Sequence, residues 1–573
     1  MASRGQSALE YLLLIGGAVL ISTIVLVVVL ASQTGGNDFL GNQLAGYQSN
    51  TSQFFSGGGN PPVSDNTPPS IAIFSSDWDD AQVTITYQAL DTSSPITFTL
   101  LRANGIGSQA VLDAVQLSGP VNSFDNPPAT NNITSIPLGA FAVLPSGTVA
   151  VIDDTGLSNG TRYYYRIRAC DSAASSNCAA SPSIMEQPRV PNYVASLGAP
   201  EVVFDQLGAG NNVGDLCGTQ NNLDLADTQA RAVKFNGQLF LASGNAPNFY
   251  MRTGTDFSNL TSVCGSPALP SGLSAQAYTY NSYEWLTSIY AQGGTMHGFV
   301  HNEYHDTNPT YCDTSPAPGN KCWYNGLTYA SSNDGLSFSQ SNPVSVFSSS
   351  PIPWNAATMN TSPHGPMEPG NIISRDEGGT IYYYMHFRSL QGVGQYNPAG
   401  VCVMRTSNLS DPTSWRACNA TTQAFDITMA KPYNALNQPA PTGVPHCSII
   451  SQSNIMDAVG TVTYNSFMKK YLMITSGVYG GNCGIFYSLS DDLINWSQVR
   501  HIAGYNNPNN TGCVSGAPII AYASYIDHDQ LTDPTDPNFE KSDDTGYLYF
   551  VQFNNGWGLD RDLVRRSVTW TKT

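Results

Sequence analysis

The chain has 573 residues, too many for one ordinary core, so two or three domains are expected. Hydrophobic residues make up 41%, as in folded proteins, but charged residues only 11%, well under the roughly 25% of typical soluble proteins. The formal net charge of -18 leaves no basic patch for a polyanion, which excludes nucleic-acid binding, and the Ser, Thr, Asn, Gly and 30 Tyr that replace charges suit an extracellular surface.

Residues 1–31, MASRGQSALEYLLLIGGAVLISTIVLVVVLA, place Arg4 ahead of an apolar run, with Glu10 inside it. Leu12 to Ala31 carry no formal charge and are long enough to span a bilayer as a helix. No secretory cleavage site follows the apolar core. The Gly5-Gln6 junction, with Glu10 as fifth residue after it, instead resembles the class III signal peptides of archaeal type IV pilin-like proteins. That resemblance implies that a prepilin peptidase cuts before Gln6 and that the apolar helix is retained. Glu10 then either neutralises the amino terminus of a neighbouring pilin-like subunit or sits at the interface of a simple membrane anchor. In both cases Arg4 keeps the N-terminus cytoplasmic and the rest lies outside, at the cell membrane or cell surface.

Residues 32–69 are Gly, Asn, Gln, Ser, Thr and Pro with little to bury, and read as a tether. Residues 70–190 alternate apolar and polar over AQVTITY, ITFTLL and TRYYYRIRA, short strands of an antiparallel sandwich. Trp78, Gly156, Leu157, Thr161, Tyr163, Tyr165 and Ile167 resemble the turn-and-strand pattern of a fibronectin type III domain. The insert from about Asn104 to Asn132 departs from that pattern, and the module carries no cluster of catalytic residue types.

From residue 195 to 573, an apolar or aromatic strand, a Ser/Thr-rich strand and an Asp/Gly turn recur five times, starting at Phe249, Leu327, Val401, Gly484 and Asp562. The spacing of roughly 75 to 80 residues suits a decorated four-stranded blade. A hairpin precedes each repeat, as in SIYAQGGTMHGFVHNEY and NIISRDEGGTIYYYMHF, so the region is expected to form a five-bladed β-propeller. The fold class is therefore mainly β: an N-terminal transmembrane or pilin-like helix, a fibronectin type III-like sandwich and a five-bladed propeller.

In a propeller, residues just ahead of each inner strand and residues ending each second strand meet around the axis. Counting back roughly nine to eleven residues from the hairpin turns gives Asp227, Glu284, Glu368 and Asp457 in four successive blades. The second-strand ends add His301, Glu303 and His305 from one hairpin and His386 and Arg388 from the next, and Arg231 follows Asp227 by one turn of sequence. Clustered carboxylates push their pKa values apart, which glycosidic cleavage requires. Trp285, Tyr304, Trp323 and Trp354 are aromatics available to stack on sugar rings. The alternation His301, Glu303, His305 also reads as a hydrogen-bond ladder or as a divalent-cation site, the one cofactor expectation in the chain. Asp491 and Asp492, in SLSDDLINW, read as turn caps.

The element from Ser490 to Trp496 and the aspartate ahead of the first inner strand resemble the five-bladed glycoside hydrolases of arabinanase, xylosidase and fructosidase type. The resemblance implies Asp227 as base, Glu368 as acid and Glu284 or Glu303 as modulator; Arg231, Trp285, His301, His305, His386 and Arg388, from their register, are the candidate contacts to a glycan ligand. The chain departs from that family in lacking a WMNDPNG-type string and in having Thr228 after Asp227. A non-catalytic carbohydrate-binding adhesin or minor pilin, and a purely structural filament subunit, are the competing readings.

Eleven cysteines fall mostly in close pairs, Cys170 and Cys178, Cys217 and Cys264, Cys312 and Cys322, Cys402 and Cys418. None has the CxxC spacing of a zinc site, so they read as disulfides formed in an oxidising compartment. Cys447, Cys483 and Cys513 leave an odd one, and their pairing stays open.

Overall fold

The computed structural model describes residues 67–92, 94–104, 108–119, 122–127, 132–172, 177–205, 217, 224–274, 276–305, 323–350, 364–390, 400–429, 447–450, 455, 460–508, 510–554 and 560–573. The N-terminal stretch with Gly5, Gln6 and Glu10, the cysteines Cys312 and Cys322, Asp457, Trp354 and the side chains of His305 and Trp323 lie outside these. Among the described residues, no helix is long and apolar enough to cross a membrane. The described residues divide into two compact units, one of residues 67–194 with 572–573 and the other of residues 195–571.

The first unit is a two-sheet sandwich. Ser70–Asp79, Gln82–Leu90 and Ala150–Thr155 form one sheet; the other centres on Ile96–Asn104 and Tyr163–Cys170. Alternation along these strands sends Val83, Ile85 and Tyr87 inward against Phe98, Leu100, Tyr165 and Ile167. The Tyr163 hydroxyl accepts from the Ser158 backbone N–H at 2.9 Å, tying the start of its strand to the preceding turn. The insert that broke the sequence pattern forms a short helix, Ser108–Asp113. Its Leu112 joins Val115 and Phe124 against Leu101 and Ala103, on the sheet face away from the main core.

In the second unit, five antiparallel sheets follow one another along the chain. Blade 1 is Arg231–Phe235, Gln238–Ala242, Met251–Gly254 and Thr261–Ser262. Blade 2 is Tyr283–Gln292, Thr295–His305, Trp323–Ser332 and Ser345–Ser349. In blade 3, Gly365–Met367 and Ile372–Glu377 both pair with Thr380–Leu390, followed by Gly400–Thr406, Arg416–Asn419 and Ala424–Ile427. Blade 4 runs Thr461–Asn465, Lys470–Tyr479, Asn482–Ser490 and Arg500–Gly504. Blade 5 joins Ile519–Ile526, Thr545–Phe553 and Arg561–Lys572 to strands from the other end of the unit, Tyr193–Leu197 and Glu201–Phe204.

Each blade buries a face on the next. Phe235 and Phe240 of blade 1 meet Leu286, Met296 and Val300 of blade 2; Phe299 and Leu327 of blade 2 meet Ile372, Met385 and Phe387 of blade 3. Tyr384 and Val403 of blade 3 pack on Val462, Met473 and Trp496 of blade 4, and Tyr487 of blade 4 meets Trp570 of blade 5 edge-on at 5.1 Å. Phe204, Tyr549 and Val551 of blade 5 close the circle on Ala232 and Leu241 of blade 1. Five sheets packed face to face in a closed round are a five-bladed propeller, its last blade completed by the unit's own N-terminal strands.

Two devices fill the axis. Arg231, buried, donates through Nη1 to Thr461 Oγ1 at 2.8 Å and through its other nitrogens to the carbonyls of Thr287 and Gly460, bracing blades 1, 2 and 4. Further along, the connection between the first two strands of blade 5 crosses the channel. Its Pro537 carbonyl accepts from Lys234 N, Asn538 pairs with the Ala291 backbone, and Glu540 accepts from Tyr290 Oη and Ser374 N. Lys541–Ser542 then runs parallel to Thr461–Asn465. All four other blades are thus tied by one segment at the hairpin-turn end.

The disulfides correct one pairing. Cys170–Cys178 and Cys217–Cys264 form, but Cys402 bonds Cys447, Cys483 bonds Cys513, and Cys418 is a buried free thiol. The reason is parity: Cys402 lies with Met404 and Ala417 on the blade 2 side of blade 3, whereas Cys418 lies with Val401 and Val403 on the blade 4 side. Adjacent strands bring the two close in sequence register and put them on opposite faces.

The turn ending the third strand of blades 2 and 4 is capped in the same way. Asp334 accepts from Leu336 N and Ser337 N, and Asp492 from Ile494 N, Asn495 N and Asn495 Nδ2. Burial pushes the Asp492 carboxyl upward, but these donors outweigh it and hold it below its ordinary value. We predict that Asp492→Ala lowers stability by about 1–2 kcal/mol at neutral pH, whereas Asp491→Ala, which removes only an exposed pair with Lys470, changes it by less than about 0.5 kcal/mol. The Asp492 contribution is present above the ordinary carboxylate range and is lost as pH falls through its lowered pKa. Denaturant melts at pH 7 and pH 3 check both statements.

Candidate functional site

The end of the axis away from the hairpin turns gathers side chains from four blades. Asp227 sits ahead of the inner strand of blade 1, Glu303 near the end of the second strand of blade 2, and Glu368 in the link between Gly365–Met367 and Ile372–Glu377 of blade 3. Blade 5 contributes Tyr522 from its inner strand and Arg561 from the start of its third. Asp227 is paired to Arg561, and the polar ends of Tyr522 and Trp285 are among the groups that act on its carboxyl. The Tyr522 hydroxyl lies within the fields of Asp227, Glu368 and Glu303 together.

Each carboxylate has its own cationic or imidazole neighbour. Asp227 has Arg561, Glu368 has Arg388 at 4.0 Å, and Glu303 has His301 Nε2 at 3.4 Å. His301 also shares Nε2 with Asn325 Oδ1 at 3.0 Å, and the Asn325 amide donates on to the His364 carbonyl at 2.9 Å. Asn325 can approach that carbonyl because Gly365 has φ +95°, and a Cβ there would collide with the Asn325 backbone oxygen. Tyr283 and Trp285 stand opposite Glu303 and His301 in the hairpin register and form an aromatic wall, with ring centroids 6.3 Å apart.

Burial is the main influence on Asp227. It pushes the carboxyl up to about 6; Arg561 opposes, Glu303 adds to the rise, and the donors Tyr522 and Trp285 oppose again. The side chain keeps 17% of its surface open to the pocket. Asp227 is therefore ionised at neutral pH and takes a proton near the acid edge of the physiological range. Burial, and the carboxylates around it, push the Tyr522 hydroxyl well above its ordinary value, so it stays a donor.

Of the residues singled out in the sequence, Asp227, Glu303, Glu368, Trp285, His301 and Arg388 share this pocket. Three do not. Glu284 is adjacent to Trp285, so pleating turns it to the opposite face, where it accepts from Gly272 N at 3.3 Å and burial pushes it up to about 7. His386 faces blade 4: its Nε2 meets the Leu493 carbonyl at 2.9 Å, its ring stands edge-on to Trp496, and burial pushes it down to about 4. Arg231 has its donors engaged by other blades, as described above, and is a brace rather than a ligand contact. Tyr304 is buried in the second strand of blade 2.

Of the residues read as a possible cation site, His301 has its Nε2 at 3.0 Å from Asn325 Oδ1, and the side chain of His305 lies outside the described residues. Among the described residues, the acids close enough together to hold an ion are Asp527, Asp529 and Asp543, beyond the inner strand of blade 5 and away from the pocket. Tyr522, Arg561 and Asn325 were missed by sequence reasoning. Arg561 starts a strand whose apolar pattern was legible, but nothing in one sequence marks it as facing the axis.

No protein-family model matches the chain, and no curated protein matches it in sequence. Among solved structures it is similar to the xylan β-1,4-xylosidase of Bacillus halodurans C-125, at 10% identity and a TM-score of 0.33 over 62% of this chain and 54% of that one. It is similar also to an endo-arabinase of Bacteroides thetaiotaomicron VPI-5482, at 11% identity and TM-score 0.31 over 62% of this chain and 96% of that one. A β-fructofuranosidase of Bombyx mori matches at 12% identity and TM-score 0.33, over 60% of this chain and 61% of that one. This chain thus spans about half the length of the xylosidase. Likeness at these scores carries nothing about chemistry, which rests on the pocket's own residues.

The raised Asp227 pKa has a sign that stability measurements read. A carboxyl whose folded pKa lies above its ordinary value stabilises fully below that ordinary value and loses the contribution as pH rises through about 6. Asp227→Asn removes this dependence. Its stability relative to the native protein should climb between pH 4 and pH 7 by up to about 3 kcal/mol. A difference that stays flat across that window would contradict the environment described for Asp227.

Proposed function

We propose that the propeller is a glycan-active module whose axial pocket cleaves a glycosidic bond. The observation that carries this is the meeting of Asp227, Glu303 and Glu368, from three blades, around Tyr522 and beside the Trp285 wall. Hydrolysis of an acetal needs one carboxyl to protonate the leaving oxygen and one carboxylate to activate water or attack the sugar carbon. Asp227, ionised above about pH 6, is the base or nucleophile, and Glu368 protonates the leaving oxygen. Glu303 is the modulator: its negative charge helps to raise Asp227. Trp285 and Tyr283 offer an apolar face to a sugar ring. A second reading, glycan binding without cleavage, is favoured by one feature: Asp227 and Glu368 each have an arginine at hand, which suits permanent charge pairing as well as catalysis.

The rest of the chain extends the proposal. A stem of archaeal type IV pilin-like kind, with Gly5-Gln6 as the prepilin peptidase junction and Glu10 in an apolar helix, would carry the sandwich and the propeller outside the cell membrane. It serves either as a simple anchor or as one of several pilin-like subunits. The disulfides found fit an oxidising exterior.

Two measurements test this. A screen of plant and microbial glycans with the detergent-solubilised chain should find a substrate whose hydrolysis drops at least about a hundredfold in Asp227→Asn and in Glu368→Gln. Its acid limb should have a midpoint near pH 6; binding without turnover on every glycan would leave the second reading standing. N-terminal sequencing of the native protein should begin at Gln6, and an intact Met1 would remove the pilin-like stem.

A further inference from the structure

We propose that blade 3 carries two N-glycan attachment sites, Asn408 and Asn419, and that the same motif on blades 1 and 4 is kept from modification by aspartates of its turns. Asn-x-Ser/Thr, the acceptor signature for N-linked sugars, stands among the described residues of the propeller at Asn259, Asn408, Asn419 and Asn495. A signature this short arises by chance in a chain rich in Asn, Ser and Thr, so placement has to sort the four. Asn259, Asn408 and Asn495 fall at one place in their blades, just after the third strand, where it returns beside the hairpin turn of the first two. In each motif the middle residue turns inward. Leu260 packs on the cluster of blades 5 and 1, Leu409 is buried with that of blades 2 and 3, and Trp496 with that of blades 3 and 4. Alternation then turns the Asn outward, and all three are exposed. Asn419 follows the same rule at the end of the fourth strand of blade 3, with Ala420 on the cluster of blades 3 and 4 and Thr421 exposed.

The side-chain amides separate the four. Asn259 Nδ2 donates to Asp256 Oδ2 at 2.7 Å, and Asn495 Nδ2 to Asp492 Oδ2 at 2.7 Å. Asn408 Oδ1 instead accepts from Ser410 N at 3.1 Å, and Asn419 Oδ1 from Thr421 N at 3.1 Å. These two amides are fixed through their oxygens by the Ser or Thr of their own motif, and neither nitrogen has a hydrogen bond among the described residues. Transfer from a lipid-phosphate-linked oligosaccharide joins Nδ2 to the anomeric carbon of the first sugar. The bond from that carbon to the phosphate oxygen breaks, the lipid phosphate leaves with the electron pair, and Nδ2 releases one proton. A nitrogen that donates to a turn carboxylate has one of its two protons and part of its approach taken up, whereas an unengaged one has both available. Asn408 and Asn419 stand before and at the end of strand Arg416–Asn419, next to Ala424–Ile427, the free edge of the sheet of blade 3. Glycans there would shield an edge of the kind that invites pairing with another chain. The transfer needs an exported chain, so the proposal rests on the extracellular reading, which the disulfides support.

Peptide mass spectrometry on the full-length protein from its source cells reads the outcome. Asn408 and Asn419 should be found mostly glycosylated, with occupancy at Asn259 and Asn495 lower by about tenfold or more. Thr421→Ala, at an exposed position, should strip Asn419 and leave Asn408 as it was. Asp256→Ala and Asp492→Ala, made in the same cells, free the amides of Asn259 and Asn495 and should raise occupancy at each several-fold, a gain that the motif alone does not predict. Equal occupancy at all four asparagines would overturn the selection by the turn aspartates, and bare Asn408 and Asn419 would overturn the proposal. The same digest reports the Cys402–Cys447 pair. An intact disulfide beside bare asparagines leaves the extracellular reading in place, whereas free thiols there remove that reading and the proposal together.

Discussion

Closure of the ring is the constraint on which everything else depends. A propeller sheet is apolar on both faces and needs a neighbour on each, so a round of five has no free face only if the last blade meets the first. Here that contact is made by a blade assembled from both ends of the unit, with Glu201–Phe204 lying against Arg561–Lys572. Phe204 and Leu563 lie in the same cluster as Leu239 and Leu241 of blade 1. The same closure brings Arg561 to Asp227, more than three hundred residues away in sequence. The pocket is a by-product of the circle: no two of its carboxylates come from one blade.

The axis shows how polar groups are tolerated inside such a ring. Arg231 is a buried cation with no acidic partner among the described residues, and burial pushes it down to about 9, yet each of its three nitrogens donates to a carbonyl or a hydroxyl. Toward the end away from the hairpin turns, carboxylates replace carbonyls as the groups around the axis. There, each acid has a basic side chain beside it, Arg561 by Asp227, Arg388 by Glu368 and His301 by Glu303. Burial raises the pKa of Asp227, Arg561 and two neutral donors lower it, and Glu303 raises it again. A carboxylate poised by opposing influences of this size is what acid–base chemistry requires, and also what a single substitution disturbs.

Much of the fold was legible because propeller repeats are periodic and their hairpins carry strong turn signals. The acids ahead of the inner strands were legible for the same reason: a fixed register in successive blades points to the axis. What the pattern could not supply was parity. Glu284 and Trp285 are neighbours, only one can face the pocket, and nothing local says which. The same ambiguity made Cys418 a false partner for Cys402, whereas His386 shares the parity of Arg388 and differs in lying one pleat back along the strand, against the Leu493 carbonyl of blade 4. Tyr522 was hidden for a different reason, since a bulge changes parity partway along a strand and leaves no mark in a sequence of alternating Ile, Ala and Tyr. Arg231, four residues after Asp227, lies too deep along the axis to reach a ligand past its own hydrogen bonds.

The central claim is that carboxylates from different blades share one electrostatic environment. Carbodiimides react with protonated carboxyls, so the claim is tested most directly by measuring the pH midpoint of carbodiimide labelling at Asp227 in Glu303→Gln, a substitution in another blade that removes only a charge. If the side chains converge, the midpoint falls, because the negative neighbour that raises Asp227 is gone. A midpoint identical to that of the native protein would mean that the two acids do not meet, and the pocket described here would not exist.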